Sequence, residues 1–562
     1  MKLFDFSFKT IGQIFFVIII LSTSSAKSLD KFNKAEDVSN YFSGILLLND
    51  NQYEDSLKHL KKLSGLENSH VSYSVKYLYS LVNSGNLKEA FDYSKKLEEQ
   101  KLDSFESNLI SGIFYLKKAE TELAKKYFLK AKISSEKFIL NNYVSNSLYN
   151  WSNLSNLNQA TRDLEKIDQR FENLKKIQNV FLHCYFNSPI TDNLFTEITS
   201  NAKTDFSRYN YFHASYSVST GSIKNAKKII ESALKLYPRN LLLNQFKNDL
   251  YENKNISAFN CKREMHVVAE ILYITANALS SQSIYSQSNF FLNLSKYLNE
   301  DFISYDALLA ENFYKIGDFK KAKKIYYNLG KHGDAFNWFS AKQLSSIFIQ
   351  EKNKSEAFKL LDKSYKNLLE KEIYETFDYA EFLKNNEKFK ESISLYTKIL
   401  VEVDKDHPLY TEATDGRGVA YERIGEWSSA EKDLLASLEA NPDQAYVINY
   451  LAYTWIEQGV KINKSLSMLE KANKLRSNDP YITDSLGWVL FKLKRYKEAK
   501  DYLQLAVRLL PADPIVNDHY GDALWKNGDE IQARYYWSYV LGLKKTEEKL
   551  KKTLEKKLIK GL

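Results

Sequence analysis

Proline and glycine are scarce in this chain, 7 and 18 among 562 residues. That excludes collagen-like and low-complexity disordered classes and, with 44% apolar residues, suits long helical content. Only two cysteines occur, Cys184 and Cys261. No CxxC pair and no Cys/His cluster accompanies them, so no metal site and no cofactor is indicated. The eight histidines are scattered, with none at ligand spacing to a cysteine or carboxylate. No P-loop, no GxGxxG after a strand, no HExxH and no GxSxG is present. No stretch reads as a βαβ unit, which leaves no room for a catalytic domain. An enzyme is not expected. Charge of one sign is also lacking: the formal charge of +9 is mild for this length, and Lys alternates with Glu along the helices as on solvated faces. No zinc-finger, RNA-binding or helix-turn-helix signature points to nucleic acid.

What the sequence does hold is a period. Gly487 and Gly521 stand 34 residues apart, as do Ala499 and Ala533, with Tyr496 at a turn and Pro511 closing the unit. In between, apolar residues recur at three- to four-residue spacing in runs of about 12–15, broken by short polar turns, as amphipathic helix pairs require. This segment resembles the tetratricopeptide repeat (TPR) in period and in its small, aromatic and proline positions. The resemblance implies an all-α, right-handed α-solenoid of stacked helix-turn-helix units. A 562-residue chain then needs no division into globular domains, because each unit packs on its neighbours.

The period runs through most of the chain. Gly44, Leu78 and Gly112 are spaced by 34, and so are Ser56, Ala90 and Ala124, with Tyr53 and Phe128 filling gaps between units. Leu148, Ala160 and Leu164 suggest a fourth unit; residues 170–200, interrupted by Pro189, give helices but no clean repeat. Ala214, Gly221, Ala226, Ala233 and Pro238 restore it. Residues 239–263 fit no full repeat and read as an unpaired helix and a joint, so a boundary is set near 260, between arrays 27–260 and 261–543. Beyond it, Ala276 and Ala310, and Ser288 and Ala322, are again 34 apart. Gly317-Asp-Phe319 supplies a turn, and weaker units follow near Ala357 and Ala380. The strongest units carry Gly418, Ala452, Gly487 and Gly521 opposite Ala430, Ser465, Ala499 and Ala533. Roughly 13 repeats result. Since distant repeats of a solenoid do not touch, no bridge between Cys184 and Cys261 is expected.

Residues 1–26 read as a cleaved secretory signal peptide. Lys2 and Lys9 precede the apolar run Ile11–Leu21, and Ser24 and Ala26 occupy the small-residue positions of a cleavage site before Lys27. The run is about half of what spans a bilayer; the alternative is an uncleaved inner-membrane anchor facing the periplasm. Either way periplasmic residence is expected. Residues 544–562 carry 8 Lys and 3 Glu with Leu550, Leu554 and Leu558 on one face. They read as a basic capping helix, the alternative being transient association with an anionic membrane.

The first helices of the C-terminal repeats should offer a groove to a partner. Its candidate residues are Arg423, Tyr446, Asn449, Tyr453, Asp484, Trp488, Phe491, Asp518, Asp522, Trp525 and Lys526. Aromatics interleaved with carboxylates suit a peptide with basic and apolar residues. They also suit sugar faces, and Trp488 and Trp525 also suit plain packing between repeats. Two relatives with known ligands are not matched. The inner asparagine ladder of O-linked N-acetylglucosamine transferases is replaced by Gly416, Tyr450, Ser485 and His519, with no transferase domain. The basic clamp of chaperone-binding TPR domains is replaced by Asp415, Asn449, Asp484 and Asp518. Asn449-Tyr-Leu-Ala-Tyr-Thr-Trp455, Asp484-Ser-Leu-Gly-Trp488 and Asn517-Asp-His-Tyr-Gly-Asp522 resemble TPR proteins of alphaproteobacteria. The expected function is a non-enzymatic scaffold for envelope proteins or peptides, with a glycan-binding module as the alternative.

Overall fold

The computed structural model describes residues 34–562 apart from 136, 201–205, 253, 255–258 and 369. The segment read as a signal peptide lies outside the described residues. Among those residues the chain is all helix, 30 α-helices and no strand, an all-α solenoid of helical repeats. Fourteen antiparallel pairs account for 28 of the helices; Leu241–Tyr251 and Glu548–Lys560 stand alone. Residues 170–200, which showed no clean repeat, form the pair Glu172–Tyr185 and Thr191–Thr199.

Two kinds of glycine make the pairs. Gly487 and Leu503 lie on facing helices, and a Cβ on Gly487 would stand 2.6 Å from the Leu503 side chain. Such a position must stay small for the helices to close. A Cβ on Gly425 would meet nothing within 4 Å, but its backbone is left-handed, φ +84°, where a side chain is strained. Helix starts are equally local: Asp479 and Asp513 precede Pro480 and Pro514, and each aspartate accepts two N–H groups of the first turn.

The compact units divide between Leu368 and Leu369, not near residue 260. In the N-terminal unit, residues beyond 260 pack directly on the first repeats. The helix Tyr285–Leu298 lies against Val71–Asn83 and Phe105–Lys117, and Glu264–Ser281 lies against Ile139–Trp151. Asn83 Nδ2 donates to the Ser286 carbonyl at 3.0 Å, Asn289 Nδ2 to the Tyr53 hydroxyl at 3.2 Å, and Phe290 packs on Tyr79. The nearest-neighbour rule therefore fails here, and with it the expectation for the cysteines. Cys184 and Cys261 form a disulfide with Cα atoms 6.1 Å apart. An aromatic cluster of Phe181, Phe212, Phe259 and Phe302 surrounds that junction.

The C-terminal unit holds five pairs and the helix Glu548–Lys560. Leu486, Leu490, Leu503, Leu524, Trp537 and Leu554 belong to one buried cluster running across its last elements. Each such side chain contributes about 1.5–3 kcal/mol through burial.

Candidate functional site

A recurring position three residues before each small residue sets the groove of the C-terminal unit: Asp415, Asn449, Asp484 and Asp518. Each sits on a first helix, within Pro408–Arg423, Ala445–Glu457, Pro480–Lys492 and Pro514–Lys526. What the next helix brings decides whether the position stays available.

At the C-terminal end the next helix brings a cation. His519 Nδ1 donates to both oxygens of Asp484 at 3.1 and 3.0 Å, and both residues are buried. Burial pushes the His519 pKa down, but Asp484 beside it, with Asp518 and Asp522, raises it overall. Asp518 and Asp522 are taken by the terminal helix. Lys557 Nζ, itself buried, donates to Asp518 at 2.7 Å and to the two Asp522 oxygens at 2.7 and 2.8 Å. Burial and Asp518 nonetheless push the Asp522 carboxyl up to about 6.

The tryptophans are engaged as well. Trp488 stacks between His519 and Phe491, ring centroids 3.9 and 4.8 Å away, and donates its Nε1–H to Glu457 at 2.7 Å. Trp525 lies beneath the Arg534 guanidinium at 4.5 Å and against Trp537. Gly561 approaches it so closely that a Cβ there would meet the Trp525 ring at 2.0 Å. Lys526 donates to the Leu562 carbonyl at 3.3 Å. Of the expected groove residues, Asp484, Trp488, Phe491, Asp518, Asp522, Trp525 and Lys526 thus serve repeat-to-repeat and terminal-helix contacts. The glycan alternative needed free Trp488 and Trp525 faces, and it loses them.

The other half stays open. After Asn449, the place of His519 is held by Ser485, whose hydroxyl turns to its own helix and the Tyr481 carbonyl. The Asn449 amide oxygen consequently has no hydrogen-bond donor among the described residues. After Asp415 the same place is held by Tyr450, whose hydroxyl donates to Glu422 at 2.7 Å instead. Tyr446 is 52% exposed, with its hydroxyl on Asp479 at 3.0 Å and Arg476 over its ring at 4.7 Å. Tyr453 is half-buried and Arg423 is exposed, 3.6 Å from Glu422.

Residues outside the expected set complete this half. Glu381 accepts from Tyr396 and, at 2.6 Å, from Lys384. Burial raises the Asp415 pKa from 3.8 to about 7, Lys384 opposing and Glu381 adding to it. Glu381 and Glu412 lie near Asp415 with Lys384 beside them, and Arg423 and Arg476 are further cations along this half. The repeat carrying Glu381 and Lys384 lacks the glycine found in three of the four units that follow it, and Ala380 alone marked it in the sequence.

An all-α solenoid of stacked helix pairs has the architecture of a protein-interaction scaffold. A tetratricopeptide repeat family model matches residues 485–513. The TPR repeat-containing protein PA4667 of Pseudomonas aeruginosa is 27% identical over 208 residues, 36% of this chain and 34% of that relative. Thus the match spans about a third of the relative's length. Among solved structures, pilF of Pseudomonas aeruginosa is 20% identical, covering 33% of this chain and 83% of that one with a TM-score of 0.29. A TPR protein described as having an unusual peptide-binding site, YrrB, is 15% identical over 35% of this chain and 97% of that one, TM-score 0.28. MamA from Desulfovibrio magneticus RS-1 is 15% identical over 31% and 97%, TM-score 0.28. The chain is a tetratricopeptide repeat protein. Domains of this kind bind peptides or proteins.

Proposed function

We propose that the chain is a periplasmic scaffold whose C-terminal unit holds an extended, basic segment of an envelope protein along its open half-groove. The observation that carries this reading is the burial of Lys557 between Asp518 and Asp522. The row accepts an ammonium group where the chain supplies one; at Asp415 the neighbouring Lys384 donates to Glu381 instead, and the Asn449 amide oxygen has no donor among the described residues. Tyr446 and Tyr453 flank it and supply contact area at low entropic cost. The compartment is supported by the Cys184–Cys261 disulfide, which belongs to oxidising surroundings, and by the apolar run Ile11–Leu21 before Ala26.

Crosslinked capture from an envelope extract tests the scaffold reading, with the mature chain beside Asp415→Asn/Tyr453→Ala. A discrete protein held by the wild type and lost by the variant is expected. A partner retained equally by both removes the groove from the proposal.

A further inference from the structure

A second concavity lies wholly within the N-terminal unit. The helix Leu241–Tyr251 is followed by no second helix among the described residues before Glu264–Ser281, and it packs on Asp334–Gln350. Gln245 Oε1 accepts the Ala335 N–H at 3.2 Å. First helices of neighbouring pairs meet this helix around a cavity of about 480 Å³, walled by Leu174, Ile177, Leu241, Ile274, Leu308 and Phe339. A smaller chamber of about 190 Å³ adjoins it, with Asp249 and Asp301 in its wall; Leu242 and Ser304 belong to both chambers.

Three features of these chambers bear on a ligand. Arg208, in the wall of the larger one, is spent: its guanidinium donates to Glu270 at 2.7 and 2.9 Å and lies 3.9 Å over the Tyr273 ring. Among the described residues no free cation remains in that wall for an acid, while Glu311 in the same wall is exposed. The smaller chamber is acidic. Its Asp249 accepts from Gln245 at 2.8 Å, with Lys254 4.0 Å away, and Asp301 is exposed; His332 and the buried Tyr211 are the other titratable groups in that wall. Finally, Ser304 is 7% exposed and its hydroxyl has no hydrogen-bond partner among the described residues. A buried, orphaned hydroxyl costs free energy that a ligand's polar atom would recover.

We propose that these chambers bind an extended peptide segment that seats a long apolar or aromatic side chain in the larger chamber and a nearby lysine or arginine against Asp249 and Asp301. Ser304 lies in the wall common to both and meets the peptide backbone that crosses between them. Side chains one or two positions apart on an extended chain advance by roughly 3–7 Å, which suits adjoining chambers. The site is independent of the groove in the C-terminal unit.

The test is fluorescence anisotropy of the full chain with labelled seven-residue peptides centred on Phe-Ser-Lys, beside Phe-Ser-Glu and Ala-Ser-Lys controls. The Phe-Ser-Lys peptide should bind, and each control should bind at least ~10-fold more weakly. Ala307→Trp, which fills the larger chamber, and the double variant Asp249→Asn/Asp301→Asn should each weaken binding by a similar factor. Lys560→Ala, exposed on the terminal helix and outside both sites, should leave it unchanged. Should Ala307→Trp lose its helical circular dichroism, the aspartate variant decides the matter. Absence of binding, equal binding of the Phe-Ser-Glu peptide, or indifference to the aspartate variant would each overturn the site.

Discussion

Lys557 donates to both oxygens of Asp522 at 2.7 and 2.8 Å, across 35 residues of chain. The pair ties the terminal helix to the last repeat, and both partners are buried. Removing one partner of such a pair leaves an uncompensated charge and costs about 3–5 kcal/mol. Lys557→Ala should therefore expose Leu554 and loosen the last pair, whereas the exposed Lys560→Ala should change little. Chemical denaturation followed by tryptophan fluorescence reads both, and equal midpoints would contradict the assignment.

Overpacking should act on the glycine contact between helices. Gly487→Leu must displace Leu503, whose side chain lies 2.6 Å from where a Cβ would stand. A loss of roughly 1–3 kcal/mol or more is expected. Gly425→Leu meets no such wall and should cost about 1–2 kcal/mol through its left-handed backbone alone. A double-mutant cycle of Gly487→Leu with Leu503→Ala should show coupling that Gly425→Leu lacks.

Stability of the C-terminal unit should fall as pH rises. Asp415 and Asp522 have folded-state pKa values raised to about 7 and about 6, and that of His519 is raised above 6.5. Each group then holds its proton more tightly folded than unfolded. Its stabilising contribution is complete below the unfolded pKa and is lost as pH passes the folded one. The window runs from about pH 4 to about 7 for the carboxyls, with His519 adding loss above pH 6.5. Five of the seven tryptophans lie in this unit, so fluorescence melting reports it. Tm should be lower at pH 8 than at pH 5, by roughly 2–4 °C for each kcal/mol lost. A Tm that rises over this range would contradict the titration.

The disulfide spans 77 residues. Cys184→Ser should cost about 2–4 kcal/mol and should destabilise residues beyond 260 together with those before it, since both belong to one unit. Mass spectrometry of the purified chain should find the two thiols oxidised and, in the secreted form, a first residue of Lys27. Free thiols would remove the disulfide's support for the compartment, and a chain that still begins at Met1 would favour the uncleaved anchor facing the periplasm.

Much of this architecture could be read directly from the period. Gly487 faces Leu503, and Gly521 faces Trp537, each 16 residues on, because one small residue per 34 leaves room for the partner helix. The unpaired helix after Pro238 was also legible, as a break in that period. Its consequence was not: Glu264–Ser281 and Tyr285–Leu298 pack on the first repeats, and Cys261 pairs with Cys184. The groove was half legible. Position identified Asp484 and Asp518 as inward-facing, but whether such a carboxylate is free depends on the residue the following helix carries. His519 and Lys557 occupy two of them; Ser485 and Tyr450 spare Asn449 and Asp415. Trp488 and Trp525 read equally as anchors or as packing, and contacts to His519 and Gly561 make them packing.

The open half-groove is tested most directly by equilibrium binding of a labelled, extended lysine-rich peptide to the mature chain. Wild type should bind it, more weakly as salt screens the carboxylates and more strongly as pH rises through 7 and Asp415 ionises. Asp415→Asn/Glu457→Gln should lose at least ~10-fold in affinity with the fold intact by circular dichroism. An unchanged affinity in that variant, or equal binding of a glutamate-rich peptide, would contradict the groove as the site.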